Sequence, residues 1–401
     1  MSPWYPAADI ILGTQTDDNS FSGDCDMAVK KSRRQPACWL TALCAAMALA
    51  AGGVAAQQTA SSANQELYNQ AISAKTPEEL GRVLQRIETL RTGAIGQPLR
   101  QYLTDLQAWV HHRRGETYAS EAARANAAGD AQAARILDAQ SLRDFNAAIQ
   151  LAPTRWKSYH HRGVCLALAG RFEDALRDLS KTIELSPAYA DAWFNRGEIH
   201  YELGRFAKAV DDYSEAIRLE SNDAGFHTSR GHALFQLRRF QSALADYDQA
   251  VALDPENAEA HANRGDAHRS LGNWELAAND FRQAIELNIN LGRAYQSAAW
   301  LMATCPDARY RNPPLAVRAA EKAIALDGNQ DYIYLDTLAA AYASSGQFDR
   351  AQETIRRAIQ RAPAENVAPL KRRLNLYAAQ KPFHQEHAPA TAARATKPPV
   401  R

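Results

Sequence analysis

Residues 193–219 read WFNRGEIHYELGRFAKAVDDYSEAIRL, and residues 227–253 read HTSRGHALFQLRRFQSALADYDQAVAL. Both segments contain an Arg-Gly pair, an alanine twelve residues after the glycine and an aspartate three residues later. This pattern occurs four times with a period of 34 residues. Its glycines are Gly163, Gly197, Gly231 and Gly265, and its aspartates are Asp178, Asp212, Asp246 and Asp280. A fixed period of this length is typical of a helical solenoid, in which each repeat contributes a pair of helices.

The arginine before each repeated glycine has a fixed relation to the repeated aspartate. The two residues are 16 positions apart, as in Arg230 and Asp246, which places them on neighbouring antiparallel helices. This spacing favours a structural ion pair that ties the helices together, within or between repeats. The alternative interpretation is a row of arginines that grips an anionic ligand.

Helical patterns continue on both sides of the four regular repeats, which span 154–291. Gly115 lies 48 residues before Gly163, so the first repeat carries about 14 extra residues around 127–139. The predicted segments are a helical cap at 64–108, an atypical repeat at 109–153, a repeat with an enlarged turn at 292–331, a full repeat at 332–365 and a capping helix at 366–379. Pro, Ala, Thr and Lys dominate from residue 380, which predicts a disordered tail over 380–401.

The N-terminal region predicts export. Residues 30–34 read KKSRR, an apolar run follows from Ala37 to Ala51, and small residues end at Ala56. This order is typical of a secretory signal peptide, here residues 1–56 with translation starting at Met27. An uncleaved membrane anchor is the alternative, although the apolar run is shorter than the ~20 residues that a spanning helix needs. Residues 57–63 are predicted to be a polar linker, and the mature chain is expected in the periplasm or cell envelope.

The repeats resemble the tetratricopeptide-repeat family, of the type that bacteria export. In the second regular repeat, the consensus positions are Trp193, Arg196, Gly197, Gly204, Ala209, Tyr213 and Ala216. The resemblance covers residues 109–365. The sequence departs from the consensus where His200 and His268 replace a tyrosine, and where Ser221 and Ile289 replace a proline. The resemblance implies an all-α fold, a right-handed superhelical solenoid of antiparallel helix pairs.

Composition and motifs argue against several classes of function. Lys plus Arg number 46 and Asp plus Glu 45, so no overall charge attracts nucleic acid or an anionic membrane. The sequence contains no nucleophile elbow, phosphate-binding loop, zinc-protease motif or Cys-x-x-Cys pair. We therefore expect no enzyme activity, no cofactor and no metal site. The pairs His111-His112 and His160-His161 are interpreted as packing or surface residues, and His384 and His387 as a chance cluster in the tail.

The resemblance also implies where a ligand binds, since the first helix of each repeat lines the concave groove of such arrays. The matching groove positions are His160, Asp191, Phe194, Asn195, Glu198, Tyr201, Thr228, His232, Phe235, Asn263, Asp266 and Arg269. These residues include no lysine, and so lack the Lys/Asn/Lys/Arg combination of the chaperone-binding family members that clamp a terminal carboxylate. A peptide of basic or polar plus aromatic character is the expected ligand.

Together these observations predict an exported, non-enzymatic scaffold that binds a protein or peptide segment in its groove, within a cell-envelope assembly. We expect no nucleic-acid partner, and a membrane only through an uncleaved signal segment. The alternative is a protein associated with the cell wall or carbohydrate, or an accessory subunit of an enzyme that acts in trans.

Overall fold

The computed structural model describes residues 54–328 and 330–385, with side chains from residue 64 onward. Within these ranges the regular structure consists of 17 α-helices and one short 3₁₀ helix. Residues 1–53 of the predicted signal peptide and residues 386–401 of the predicted tail lie outside them. The chain forms two compact units, an N-terminal unit up to Ile199 and a C-terminal unit from His200.

The N-terminal unit is built from consecutive helices that pack against their neighbours. They are α1 (Val54–Ser73), α2 (Pro77–Arg91), α3 (Gln97–Ala127), α4 (Ala131–Leu151), α5 (Trp156–Leu168), α6 (Phe172–Leu185) and most of α7 (Ala190–Glu202). Thr76 caps α2, because its hydroxyl accepts from the backbone N–H of Glu79, whose side chain accepts from the backbone N–H of Thr76 in return. Leu67, Leu80, Ile87 and Leu103 fill the core where α1, α2 and α3 meet.

Two features of this unit differ from the sequence-based expectation. Residues 57–63, expected to be a linker, belong to α1, because this Ala-, Gln- and Ser-rich stretch contains no Gly or Pro to end a helix. The extra residues of the atypical repeat lengthen its helices, so that α3 has 31 residues and α4 has 21. The expected boundary at 108/109 therefore lies inside α3.

The C-terminal unit continues the pattern of packed helix pairs. Its helices are α8 (Phe206–Leu219), α9 (Ala224–Gln236), α10 (Phe240–Leu253), α11 (Ala258–Ser270), α12 (Trp274–Leu287), α13 (Gly292–Thr304), α14 (Pro313–Asp327), α15 (Tyr332–Ser344), α16 (Phe348–Arg361) and α17 (Ala364–Ala378). The enlarged turn between α13 and α14 holds the 3₁₀ helix Ala308–Tyr310. Arg311 fixes this turn by donating to the carbonyl oxygens of Cys305 at 2.8 Å and Pro306 at 3.1 Å. The all-α array of helix pairs is confirmed.

The repeated glycine lies where the two helices of a repeat are in closest contact. A Cβ at Gly231 would lie 2.6 Å from the ring of Tyr247, and one at Gly265 would lie 2.7 Å from the ring of Phe281. Real Cβ atoms do not approach other atoms this closely, so only glycine admits the aromatic ring from the second helix.

The repeated arginine and aspartate form the structural ion pair that the spacing favours. Two guanidinium N–H groups of Arg230 donate to the carboxylate of Asp246, at 2.8 and 2.6 Å, and Asp246 is only 4% exposed. Equivalent paired bonds join Arg114 to Asp144, Arg162 to Asp178, and Arg264 to Asp280. A third N–H reaches the second helix of the preceding repeat, as from Arg230 to the Ser214 hydroxyl at 3.2 Å.

None of the described helices is both long enough and apolar enough to cross a membrane.

Replacement of Arg230 by Met tests how much this ion pair contributes to the free energy of unfolding. The change leaves the buried Asp246 carboxylate without its charged partner, and we expect the chain to lose about 3 kcal/mol of unfolding free energy. Urea unfolding followed by circular dichroism measures the loss. Arg218→Met is the matched control, because the Arg218–Glu215 pair is exposed and contributes less than about 1 kcal/mol. Equal effects of the two changes would contradict the structural role of Arg230.

Arg238 occupies a turn position at which other repeats carry glycine. Its φ is +58°, whereas Gly204 and Gly272 have φ of +67° and +79°. The left-handed conformation costs a non-glycine residue about 1–2 kcal/mol, more than an exposed stacking contact with Phe240 returns. We expect Arg238→Gly to raise the unfolding free energy by about 1 kcal/mol in urea titrations. The reverse change, Gly204→Ala, should lower it by a similar amount; a loss of stability in Arg238→Gly would show that the turn is not strained.

Candidate peptide-binding surface

The groove positions expected from the sequence fall on the first helices of the repeats, and the two compact units carry different chemistry there. The N-terminal unit holds His160 on α5, with Asp191, Phe194, Asn195 and Glu198 on α7. The C-terminal unit holds the end of α7 with Tyr201, then α9 with Thr228, His232 and Phe235, and α11 with Asn263, Asp266 and Arg269.

His160 and Asn195 lie beneath the surface of the N-terminal unit. They are 3% and 5% exposed, and the amide of Asn195 donates to Nε2 of His160 at 3.0 Å. Burial, together with the neighbouring His161, holds the pKa of His160 well below its ordinary value, so its ring is neutral. These two side chains brace α5 against α7 and are not placed to contact a ligand. Asp191, Phe194 and Glu198 are partly exposed.

A polar cluster centred on Asp266 dominates the C-terminal unit. The Asp266 carboxylate accepts from Arg269 at 3.1 Å, from Arg293 at 3.0 Å and from the Ser297 hydroxyl at 3.2 Å. Asn263 is 2% exposed and accepts from the other end of the Arg293 guanidinium at 2.6 Å. Two arginines therefore surround one aspartate, so the cluster presents positive charge. The ligand expected from the sequence, of basic or polar plus aromatic character, stays a prediction; a basic group would meet like charge at this cluster, whereas a polar group would not.

The sequence analysis missed Arg293, which lies outside the groove positions of the family pattern. It precedes the repeated-glycine position of its own repeat by six residues, on the first turn of α13. Its helix belongs to the repeat with the enlarged turn. The one sequence feature that could have drawn attention to Arg293 is its position directly after Gly292, which opens this helix. Only the packing of α13 against α11 shows that its guanidinium reaches Asp266.

His232 faces the same cluster. Burial and, to a lesser degree, the positive charge of Arg293 lower the pKa of His232 to about 4. The hydrogen bond with Asn263 and the negative charge of Asp266 raise the pKa, but by less. At neutral pH the ring is uncharged and offers a hydrogen-bond donor and an acceptor.

Aromatic and hydroxyl groups complete this part of the unit. Phe235 packs edge-on against Phe240 with ring centroids 5.0 Å apart, and Tyr201 packs against Phe206 at 5.2 Å. The rings of Phe235 and Tyr201 remain partly exposed. Thr228 uses its hydroxyl to donate to the carbonyl oxygen of Ala224 in its own helix.

A C-terminal segment of the chain itself packs against α13. Residues 381–385 follow α17 without regular structure, and Phe383 packs against Trp300 with ring centroids 6.0 Å apart. The backbone N–H of Gln385 donates to the carbonyl oxygen of Thr304 at 2.8 Å. With its side-chain amide assigned in the orientation that satisfies its neighbours, the amide oxygen of Gln385 accepts from Trp300 Nε1 at 2.6 Å and from Arg269 at 3.2 Å. The tail expected to be disordered from residue 380 therefore packs against the protein as far as Gln385.

We call the partly exposed side chains of α9, α11 and α13 in the C-terminal unit the first-helix surface. Its members are Thr228, His232, Phe235, Asp266, Arg269, Arg293 and Trp300. They provide charged donors, a neutral imidazole and aromatic faces. These groups suit recognition of an extended polypeptide, whose amides need hydrogen bonds and whose side chains need apolar contacts.

Family models of the tetratricopeptide repeat match residues 167–224, 231–272, 258–291 and 334–365. Among solved structures, the chain is similar to a tetratricopeptide repeat protein from Parabacteroides merdae, with 16% identity, a TM-score of 0.49 and coverage of 66% of this chain and 98% of that one. MamA from Desulfovibrio magneticus is 19% identical with a TM-score of 0.38, covering 44% of this chain and 95% of its own. YrrB, described as having an unusual peptide-binding site, is 18% identical with a TM-score of 0.37, covering 44% and 88%. No curated protein matches the chain.

The depressed pKa of His232 predicts a pH dependence. In the unfolded chain this histidine takes up a proton near its ordinary value of 6.5, but in the folded chain it does so only near 4. Its contribution to stability is therefore complete above pH 6.5 and is lost as the pH falls toward 4. We expect His232→Gln to reduce the loss of unfolding free energy between pH 7 and pH 4.5 by about 2 kcal/mol. Urea titrations at both pH values measure this, and identical losses in the two proteins would contradict it.

Proposed function

Because the chain is a tetratricopeptide-repeat protein, we propose that it is a non-enzymatic scaffold that binds an extended segment of a partner protein on its first-helix surface. The single observation that carries this proposal is the position of residues 381–385. This extended segment already makes a backbone hydrogen bond to Thr304 and a ring contact with Trp300. The surface thus supplies both kinds of contact that a bound peptide requires.

The charges of the surface define the kind of segment it would take. Arg269 and Arg293 share the single carboxylate of Asp266, and Arg269 also donates to Gln385. A partner side chain that carries a carboxylate or an amide would find donors here, whereas a lysine or arginine would meet like charge. Phe235 on α9 and Trp300 on α13 add partly exposed aromatic rings to this surface. We therefore propose a partner segment with acidic or amide side chains next to an apolar one.

The proposed place of action follows from the N-terminal sequence. Basic residues at 30–34 followed by a short apolar run and small residues favour export, so the scaffold would act in a cell-envelope assembly. A repeat array without an attached catalytic motif suits a protein that brings partners together.

Site-specific photo-crosslinking in cells tests this function. A photoreactive amino acid in place of Phe235 should capture one dominant envelope protein, because the ring is partly exposed on the proposed surface. The same group in place of Gln249, exposed on the second helix α10, is the matched control and should not capture it. Capture from both positions alike, or of cytoplasmic proteins alone, would contradict the proposal.

The captured partner then permits a quantitative measurement. Arg269→Ala removes a donor to the partner and should weaken binding about tenfold or more in isothermal titration calorimetry, since a lost charged hydrogen bond is worth about 1.5–3 kcal/mol. Gln249→Ala should leave the affinity unchanged. Equal affinities of Arg269→Ala and the unaltered protein would assign the partner to another surface.

A further inference from the structure

Three potential metal ligands meet in the N-terminal unit, on helices that are distant in sequence. His112 and Glu116 lie four residues apart on one face of α3, and His161 lies on α5, which packs against α3. Nε2 of His112 lies 3.2 Å from a carboxylate oxygen of Glu116, and Nε2 of His161 lies 3.4 Å from the same oxygen. All three donor atoms lie within 4.8 Å of one another.

We propose that His112, Glu116 and His161 form a binding site for a divalent transition-metal ion, with Zn²⁺ as the expected occupant. Zn²⁺ binds histidine nitrogen and carboxylate oxygen at about 2.0–2.2 Å, so two ligands of a tetrahedral site lie about 3.3 Å apart. The two nitrogen–oxygen distances already have this value. The two imidazole nitrogens lie within 4.8 Å of each other, and zinc binding requires them to move to a separation of about 3.3 Å. Two imidazoles and a carboxylate are a ligand set that suits zinc over calcium or magnesium.

The surroundings orient His112 as a metal ligand. The Ser158 hydroxyl lies 3.1 Å from Nδ1 of His112, and both side chains are buried, so the ring is held with Nε2 toward Glu116. Hydrogen bonding at the second ring nitrogen is the usual way in which proteins fix a histidine that binds a metal. His161 is held by edge-on contact with the ring of His112, with centroids 5.2 Å apart.

The site also has access to solvent. The side chains of Glu116 and His161 are 38% and 22% exposed, which leaves room for a water molecule as the fourth ligand.

Two nearby cations act against metal binding. Arg113 lies close enough to Glu116, and Lys157 close enough to His161, to influence their ionisation. We therefore expect affinity in the micromolar range, below that of closed structural zinc sites. From the sequence alone we expected no metal site and interpreted these histidines as packing or surface residues. The sequence gives no signal for the proposed site, because His161 is 45 residues from Glu116 and no short motif links them.

Zinc titration of the full chain, prepared without a polyhistidine tag, tests the proposal. Isothermal titration calorimetry should show one Zn²⁺ per chain, and Co²⁺ in place of Zn²⁺ should give the intense visible absorption of a four-coordinate ion. Glu116→Gln retains a hydrogen-bond acceptor for the histidines but lacks the charged ligand, and it should weaken binding about tenfold or more. His161→Gln should have a similar effect.

His384→Gln is the matched control, because His384 is exposed and lies in the C-terminal unit. It should bind Zn²⁺ as tightly as the unaltered chain. Circular dichroism without metal checks that each variant keeps its helices, and Glu116→Gln decides the outcome if His161→Gln does not fold. Absence of stoichiometric binding, or unchanged affinity in Glu116→Gln, would overturn the proposal and leave the three side chains as a hydrogen-bonded packing cluster.

Discussion

A partly buried guanidinium that makes three hydrogen bonds joins the helices within and between repeats. Arg230 shows the arrangement in full, since two N–H groups bind Asp246 in its own repeat and a third binds Ser214 in the repeat before. A buried carboxylate is costly unless its charge and its oxygen lone pairs are both satisfied. The planar guanidinium meets both requirements and retains a free donor, which the compact ammonium of lysine cannot do with the same geometry. The 34-residue period of the sequence is, in physical terms, the period of this contact.

A constant framework of this kind leaves other positions free to vary. The residue directly after the repeated glycine illustrates this, because it is Glu116 in α3, Val164 in α5, His232 in α9 and Asp266 in α11. In α3 it lies between two histidines, whereas in α11 it lies between two arginines. One backbone position therefore has unrelated chemistry in successive repeats, and each repeat can be specialised without altering how the helices pack.

The features that could be predicted from the sequence are those whose residue patterns recur in several repeats. Helix pairs, the glycine contacts and the Arg–Asp pairs each recur, so chance matches are excluded by repetition. Features that occur once were not predictable. Residues 57–63 contain no Gly or Pro to end a helix, but they also lack the spaced large apolar residues that reveal one. The burial of His160 and Asn195 depends on how α5 packs against α7. The role of Arg293 likewise depends on the packing of a repeat that departs from the regular pattern.

The contact between residues 381–385 and α13 has a consequence for affinity. A segment tethered to its own binding surface acts as a competitor at an effective concentration that reaches millimolar for short connections. It begins only three residues after α17 ends, so its search volume is small. If a partner binds the first-helix surface as proposed, a chain that requires Trp300 would have to displace this tethered segment. Weakly binding peptides would then be rejected, and occupancy by the partner would depend on the difference between its binding free energy and that of residues 381–385.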